Sequence, residues 1–126
     1  MIESGKICVS VIAFYNSKTG KREFKSRPVL VLAKIDHGDY AVLPVSRVTK
    51  TEYLHPRYDI PVTCHEFPAL HLDYDSYIRT HKQTVINEKD ITSELSDCRT
   101  EYPDLYVDIL ALLEEVNAYI QDRALL

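Results

Sequence analysis

The run FKSRPVLVLAKI, residues 24–35, restricts the fold of this chain more than any other stretch. Val29, Leu30, Val31, Leu32 and Ala33 are apolar without alternation, which is the pattern of a strand buried on both faces. Pro28 stands at the head of that strand, where its missing N–H costs no ladder bond and its fixed φ sets the entry geometry. Arg27 is therefore carried on a stiff element at the mouth of a core strand. A planar guanidinium held in one orientation suits a ligand such as phosphate, which a merely structural arginine would not require.

The rest of the chain reads as further strands followed by one helix. Lys6 to Tyr15 is a first strand, and Asn16 to Ser26 a polar loop with the turn signal Lys18-Thr19-Gly20. Arg27 to Ile35 is the second strand, closed by the tight turn Asp36-His37-Gly38-Asp39. Tyr40 to Val48 is a third, and Pro44 inside it signals an edge, a bulge or the strand's end. Residues 49–57 are loop-like. Tyr58 to Thr63 and about Ala69 to Leu72 are short strand candidates, and Ser76 to Val85 is a last strand. Asn87-Glu88-Lys89-Asp90 resembles a cap entering a short helix through Leu95. Pro103 starts a terminal helix, to about residue 123, with an apolar stripe at Leu105, Ile109, Leu112, Leu113, Val116 and Ile120. Strands and then a closing helix predict a small, strongly curved antiparallel barrel, about residues 5–95, in a single domain.

Composition agrees with one globular domain: 126 residues, 45% apolar and 27% charged. No apolar run approaches a membrane span of about 18 residues. The start lacks a basic leader and a small-residue cleavage site, so a signal peptide is not expected. Cys8, Cys64 and Cys98 form no CxxC pair, which argues for reduced thiols in a cytoplasm, with Cys8 as plain core. Cys64-His65 with His71 supplies ligand types at no standard zinc spacing, so neither a metal nor any other cofactor is expected. The formal net charge of −4 argues mildly against a nucleic-acid binder, but the charge is unevenly spread. Lys18, Lys21, Arg22, Lys25 and Arg27 cluster against Glu23 alone, while acids dominate from Glu101 onward.

Three pieces in order resemble the MazF/PemK toxins: Lys25-Ser26-Arg27-Pro28-Val29-Leu30-Val31-Leu32, then Leu43-Pro44-Val45-Ser46, then Ser76-Tyr77-Ile78-Arg79. The resemblance spans roughly residues 5–95, with the terminal helix where the family has one. It implies an SH3-like barrel of the MazF/PemK/CcdB kind, usually a homodimer. It also implies the toxin of a toxin–antitoxin pair, a metal-independent, sequence-specific endoribonuclease that cuts single-stranded mRNA at short sequences and is neutralised by a cognate antitoxin protein. The family's arginine before proline maps onto Arg27 and its strand-end hydroxyl onto Ser46.

Elementary chemistry fits those two residues. Metal-free RNA cleavage uses the 2′-OH as nucleophile, passes through a dianionic phosphorane and leaves a 2′,3′-cyclic phosphate. Arg27 would hold the added charge with paired donors, and Ser46 would donate to a phosphate oxygen. Many family members carry a Glu five residues before the arginine. That position is Arg22 here, and Glu23 lies one residue later, so Glu23 is a candidate general base. His81 is another, because imidazole titrates near neutrality. Lys18, Lys21, Arg22, Lys25, Arg79, His81 and Lys82 are candidate RNA contacts, and Tyr53, Tyr58, Phe67, Tyr74 and Tyr77 candidate stackers. The same barrel occurs in the CcdB type, which binds DNA gyrase and cuts nothing, and a catalytically silent barrel that binds RNA or a partner is a third possibility.

Overall fold

The computed structural model describes residues 2–126. Its strands are β1 (Lys6–Asn16), β2 (Lys21–Asp36), β3 (Asp39–Ser46), β4 (Asp59–Val62), β5 (Ser76–Arg79), β6 (Thr84–Asn87) and β7 (Ile91–Asp97), followed by helices α1 (Cys98–Glu101) and α2 (Pro103–Ala124). They form one antiparallel sheet in the order β4-β5-β3-β2-β1-β7, with β6 also on β3. The sheet curls into a half-barrel, and the C-terminal helix packs against it. The mainly β, barrel-like fold expected from the strand order is the one observed.

Within β2, Val29, Leu30 and Val31 are buried because the two faces feed two different cores, whereas Leu32 is half-buried and Ala33 exposed, so the doubly buried stretch is shorter than expected. Leu30 joins Ile7, Leu43, Val45, Val62, Leu70, Ile78, Cys98, Tyr106 and Ile109 on one side. Val29 and Val31 join Cys8, Tyr40, Val42 and Ile86 on the other. Each fully buried aliphatic contributes roughly 1.5–3 kcal/mol, so β2 holds both layers together. Burial pushes the thiols of Cys8 and Cys98 up to about 11, as suits inert core cysteines.

Several boundaries differ from the sequence expectation. Residues 16–26 are not a loop: β1 and β2 pair as far as Asn16 opposite Lys21, a long polar hairpin that turns at 17–20. Ala69 to Leu72 is not a strand; a 3-10 turn, Pro68–Leu70, closes there with His71 at φ 58. Ser76 to Val85 is two strands, because the chain turns between Arg79 and Thr84 and moves to a new stretch of β3. The helix expected after Asn87 is one 3-10 turn, Glu88–Asp90, after which β7 pairs with β1. The Asn87 side chain does cap, accepting from the Lys89 N–H.

Pro44 lies in the middle of the sheet, opposite Val29. Across from its other edge β3 changes partner, from β6 at Asp39–Val42 to β5 at Val45 and Ser46. The proline therefore falls where no neighbour needs its N–H. The helix α2 buries Tyr106, Ile109 and Val116, with Leu105 and Leu113 packed beside them. Ile120 is exposed, as is every residue from Asn117 on, so the docked stripe is shorter than the sequence suggests. Among the described residues no helix is long and apolar enough to cross a membrane.

Candidate functional site

Strand register decides which side chains share a face. Val29 pairs with Pro44, so two places on, Arg27 lies opposite Ser46. The Arg27 Nη1 donates to Ser46 Oγ at 3.3 Å, the long end of a hydrogen bond. Ser46 in turn pairs with Tyr77, and Tyr77 with Pro61. One row along, Pro44 faces Arg79 by the same register, and Arg79 pairs with Asp59. Arg27, Ser46, Tyr77, Arg79 and Asp59 thus stand on one side of the sheet, carried on β2, β3, β5 and β4.

At one end of this face lies a half-buried arginine with a light commitment. Besides the Ser46 bond, the Arg27 guanidinium carbon lies 5.9 Å from the Phe14 ring centroid, and among the described residues no carboxylate pairs with it. The Ser46 side chain is almost buried, and its oxygen accepts from Arg27 with its own hydrogen left to give.

The other end is a closed knot. Asp59, with a side chain 1% exposed, accepts from Arg79 Nε at 3.0 Å and Nη2 at 3.2 Å, and from the His55 backbone N–H at 2.8 Å. Arg79 Nη2 also donates to the Tyr53 carbonyl at 2.8 Å. His81 Nδ1 is buried without a hydrogen-bond partner among the described residues, 3.7 Å from Asp59 Oδ1. Burial lowers the His81 pKa below the ordinary imidazole value; Asp59 opposes this, while Arg79, Lys82 and His55 add to it. His55 stacks on Tyr58 with centroids 4.4 Å apart, and its ring lies 5.2 Å from His81.

The expected base does not stand beside Arg27. Glu23 is on the same face of β2 but four residues nearer the hairpin tip, roughly 13 Å along an extended strand. There its carboxylate accepts from Asn16 Nδ2 at 3.1 Å and Thr19 Oγ1 at 3.0 Å. The His81 ring lies against Asp59 and His55, within the closed knot. Arg79, expected as an RNA contact, has its charge matched by a buried carboxylate instead. Lys18, Lys21, Arg22 and Lys25 are exposed along the hairpin, and Lys82 is exposed in the turn after β5.

Asp59 was invisible in the sequence. It lies 20 residues from Arg79, with no local motif joining them. Of the aromatic candidates, Phe67 packs edge-on against Tyr102 at 5.0 Å, while Tyr53 and Tyr74 are exposed. Cys64 Sγ donates to the Leu72 carbonyl, and among the described residues no three metal-ligating side chains gather.

Where β3 ends, a cleft of about 460 Å³ opens beside Arg27 and Ser46. Val9, Val45, Leu72 and Leu95 form its apolar lining, and Lys25, Arg47, Asp73 and Tyr74 also border it. The Arg47 guanidinium lies over the Tyr74 ring, 4.4 Å from its centroid. No protein-family model matches the chain, and no curated protein matches it either.

Proposed function

We propose that the protein is a metal-independent endoribonuclease of the MazF/PemK type, the toxin of a toxin–antitoxin pair, cutting single-stranded RNA to leave a 2′,3′-cyclic phosphate. The observation that carries the reading is the Arg27–Ser46 pair: a lightly held guanidinium beside a hydroxyl, both fixed on core strands at the edge of an open cleft. In that arrangement Arg27 exchanges its long bond to Ser46 for a phosphate oxygen, and Ser46 gives its hydrogen to another. Both contacts strengthen as the phosphorane gathers charge, which is the condition for lowering a barrier rather than only binding.

The exposed lysines and arginine of the β1–β2 hairpin lead toward the same place and would track the backbone of an extended strand. Binding is then salt-dependent despite the net charge of −4. A homodimer, a covering antitoxin and a cytoplasmic setting belong to the same reading.

The test uses mixed-sequence single-stranded RNA in EDTA, with fragment ends mapped, for wild type and Arg27→Ala. The expected result is discrete cuts with cyclic phosphate ends, reduced about 100-fold or more in the variant. A folded wild-type protein that leaves the RNA intact would overturn the reading; gyrase inhibition and RNA binding would then separate the CcdB-like poison from a silent barrel.

A further inference from the structure

The cleft beside Arg27 and Ser46 has walls that the phosphate chemistry does not use. Val9 and Val45 alternate with the residues of the Arg27 face, so the cleft reaches round the end of β3 toward the opposite side of the sheet. Its lining is mixed: Val9, Val45, Leu72 and Leu95 give an apolar patch, while Ser26, Ser46 and Ser76 are polar. The Arg47 guanidinium lies over the exposed Tyr74 ring, and Asp73 stands at the border. The Asp73 carboxylate has no hydrogen-bond or ion-pair partner among the described residues, although Lys25, Arg27 and Arg47 all border the same cleft.

We infer that this cleft is a nucleobase subsite, selecting a base that presents paired N–H donors, guanine above all, next to the phosphate held by Arg27. The inference rests on the ribonuclease reading and names the part of the RNA which that site would discriminate.

The occupant follows from what the walls accept and refuse. The apolar patch of Val9, Val45, Leu72 and Leu95 beside the Arg47–Tyr74 pair favours a flat, neutral ring. The exposed Asp73 carboxylate repels a phosphate or an acidic side chain and can exchange water for a ligand's N–H donors. Three cations around the mouth refuse a lysine or arginine from a partner protein, but suit a neutral base whose own strand brings flanking phosphates. Guanine meets each condition: its N1–H and N2 amino group fit the two oxygens of one carboxylate, and its O6 accepts from Arg47 or Lys25. Adenine and cytosine offer an amino group alone, and uracil a single imino N–H between two carbonyls that would face the carboxylate. The cleft volume holds one base with room for its sugar.

The experiment measures equilibrium binding rather than cleavage, by fluorescence anisotropy of end-labelled oligonucleotides with 2′-fluoro sugars, which lack the nucleophile. The series is an adenine background carrying one guanine, inosine, cytosine or uracil at each position in turn, against the wild-type full chain and Asp73→Asn. Guanine at one position is expected to bind about tenfold tighter than inosine, which lacks the amino group, and Asp73→Asn to abolish that preference. The all-adenine strand is expected to bind the variant somewhat more tightly, because a negative charge beside its phosphates is gone, so the loss is confined to the guanine-over-inosine ratio. Equal affinity for every base, or a guanine preference that survives Asp73→Asn, would overturn the subsite. If wild type still cuts ordinary RNA in that case, the ribonuclease reading stands without it; if no RNA binds or is cut, both fall.

Discussion

Arg27 and Arg79 share one face of one sheet, a single row apart, and could hardly be more differently employed. Arg79 donates three hydrogen bonds of 2.8–3.2 Å, two of them to a carboxylate that is 1% exposed. Arg27 donates one, at 3.3 Å, to a neutral hydroxyl. Both sit on rigid strands and both are permanently charged. What separates them is what each would lose on meeting a phosphate. Arg79 would have to abandon a buried anion, whereas Arg27 gives up one long bond. A cation is available to a ligand only when the fold has not already matched its charge.

Exchanging the two for alanine should break the comparison open. Arg27→Ala is expected to cost the largest effect, about 100-fold or more in cleavage, with Tm close to wild type because no buried charge is exposed or orphaned. Arg79→Ala should act the other way, losing about 3 kcal/mol of stability in denaturant unfolding because Asp59 stays buried and unpaired. The double variant Arg79→Met with Asp59→Leu should recover part of that loss: it removes both charges but leaves the His55 N–H and the Tyr53 carbonyl without these partners. Were Arg27→Ala the destabilised variant and Arg79→Ala a stable but inactive one, the two roles would have been assigned backwards.

The sequence made one half of this picture readable. Arg27 and Ser46 flank apolar runs whose buried residues, Val29 to Val31 and Tyr40 to Leu43 with Val45, fix their place whatever the loops do. Polar pairing is harder to see. Lys21 to Ser26 is strand because its backbone bonds to β1, and with those side chains largely exposed no hydrophobic period announced it. The break in Ser76 to Val85 was hidden for a related reason. No glycine or proline marks the turn, and Thr80 is fully buried there because its hydroxyl donates to the Tyr58 carbonyl at 2.7 Å. The Asp59–Arg79 knot depends on β4 meeting β5, a contact set by tertiary pairing alone.

His81 offers a smaller effect that sharpens the contrast between the ends of the face. Its pKa is lowered chiefly by burial, so the unfolded chain takes up a proton near the ordinary value of 6.5 while the folded chain resists until lower pH. In that window the unfolded state binds more protons, and stability falls as pH falls through it. His81→Gln should therefore flatten the dependence of Tm on pH below about 6.5 while leaving Tm near pH 8 little changed. Parallel pH profiles for the two proteins would show that the imidazole is solvated and that the Asp59 end is looser than its geometry implies.

Glu23 should give the smallest effect, and the one most at odds with the family resemblance. Its carboxylate is occupied at the hairpin tip by Asn16 and Thr19, and glutamine retains an oxygen that can accept one of those bonds. Glu23→Gln is accordingly expected to cleave within about twofold of wild type, with the same pH dependence, because a residue remote from the scissile phosphate contributes no proton transfer. A loss near that of Arg27→Ala, together with a shifted acid limb in the pH–rate profile, would mean that bound RNA draws the hairpin over the site. The isolation of Arg27 would then describe only the unliganded face, and the hairpin would be a moving part of the catalytic machinery rather than a cationic guide toward it.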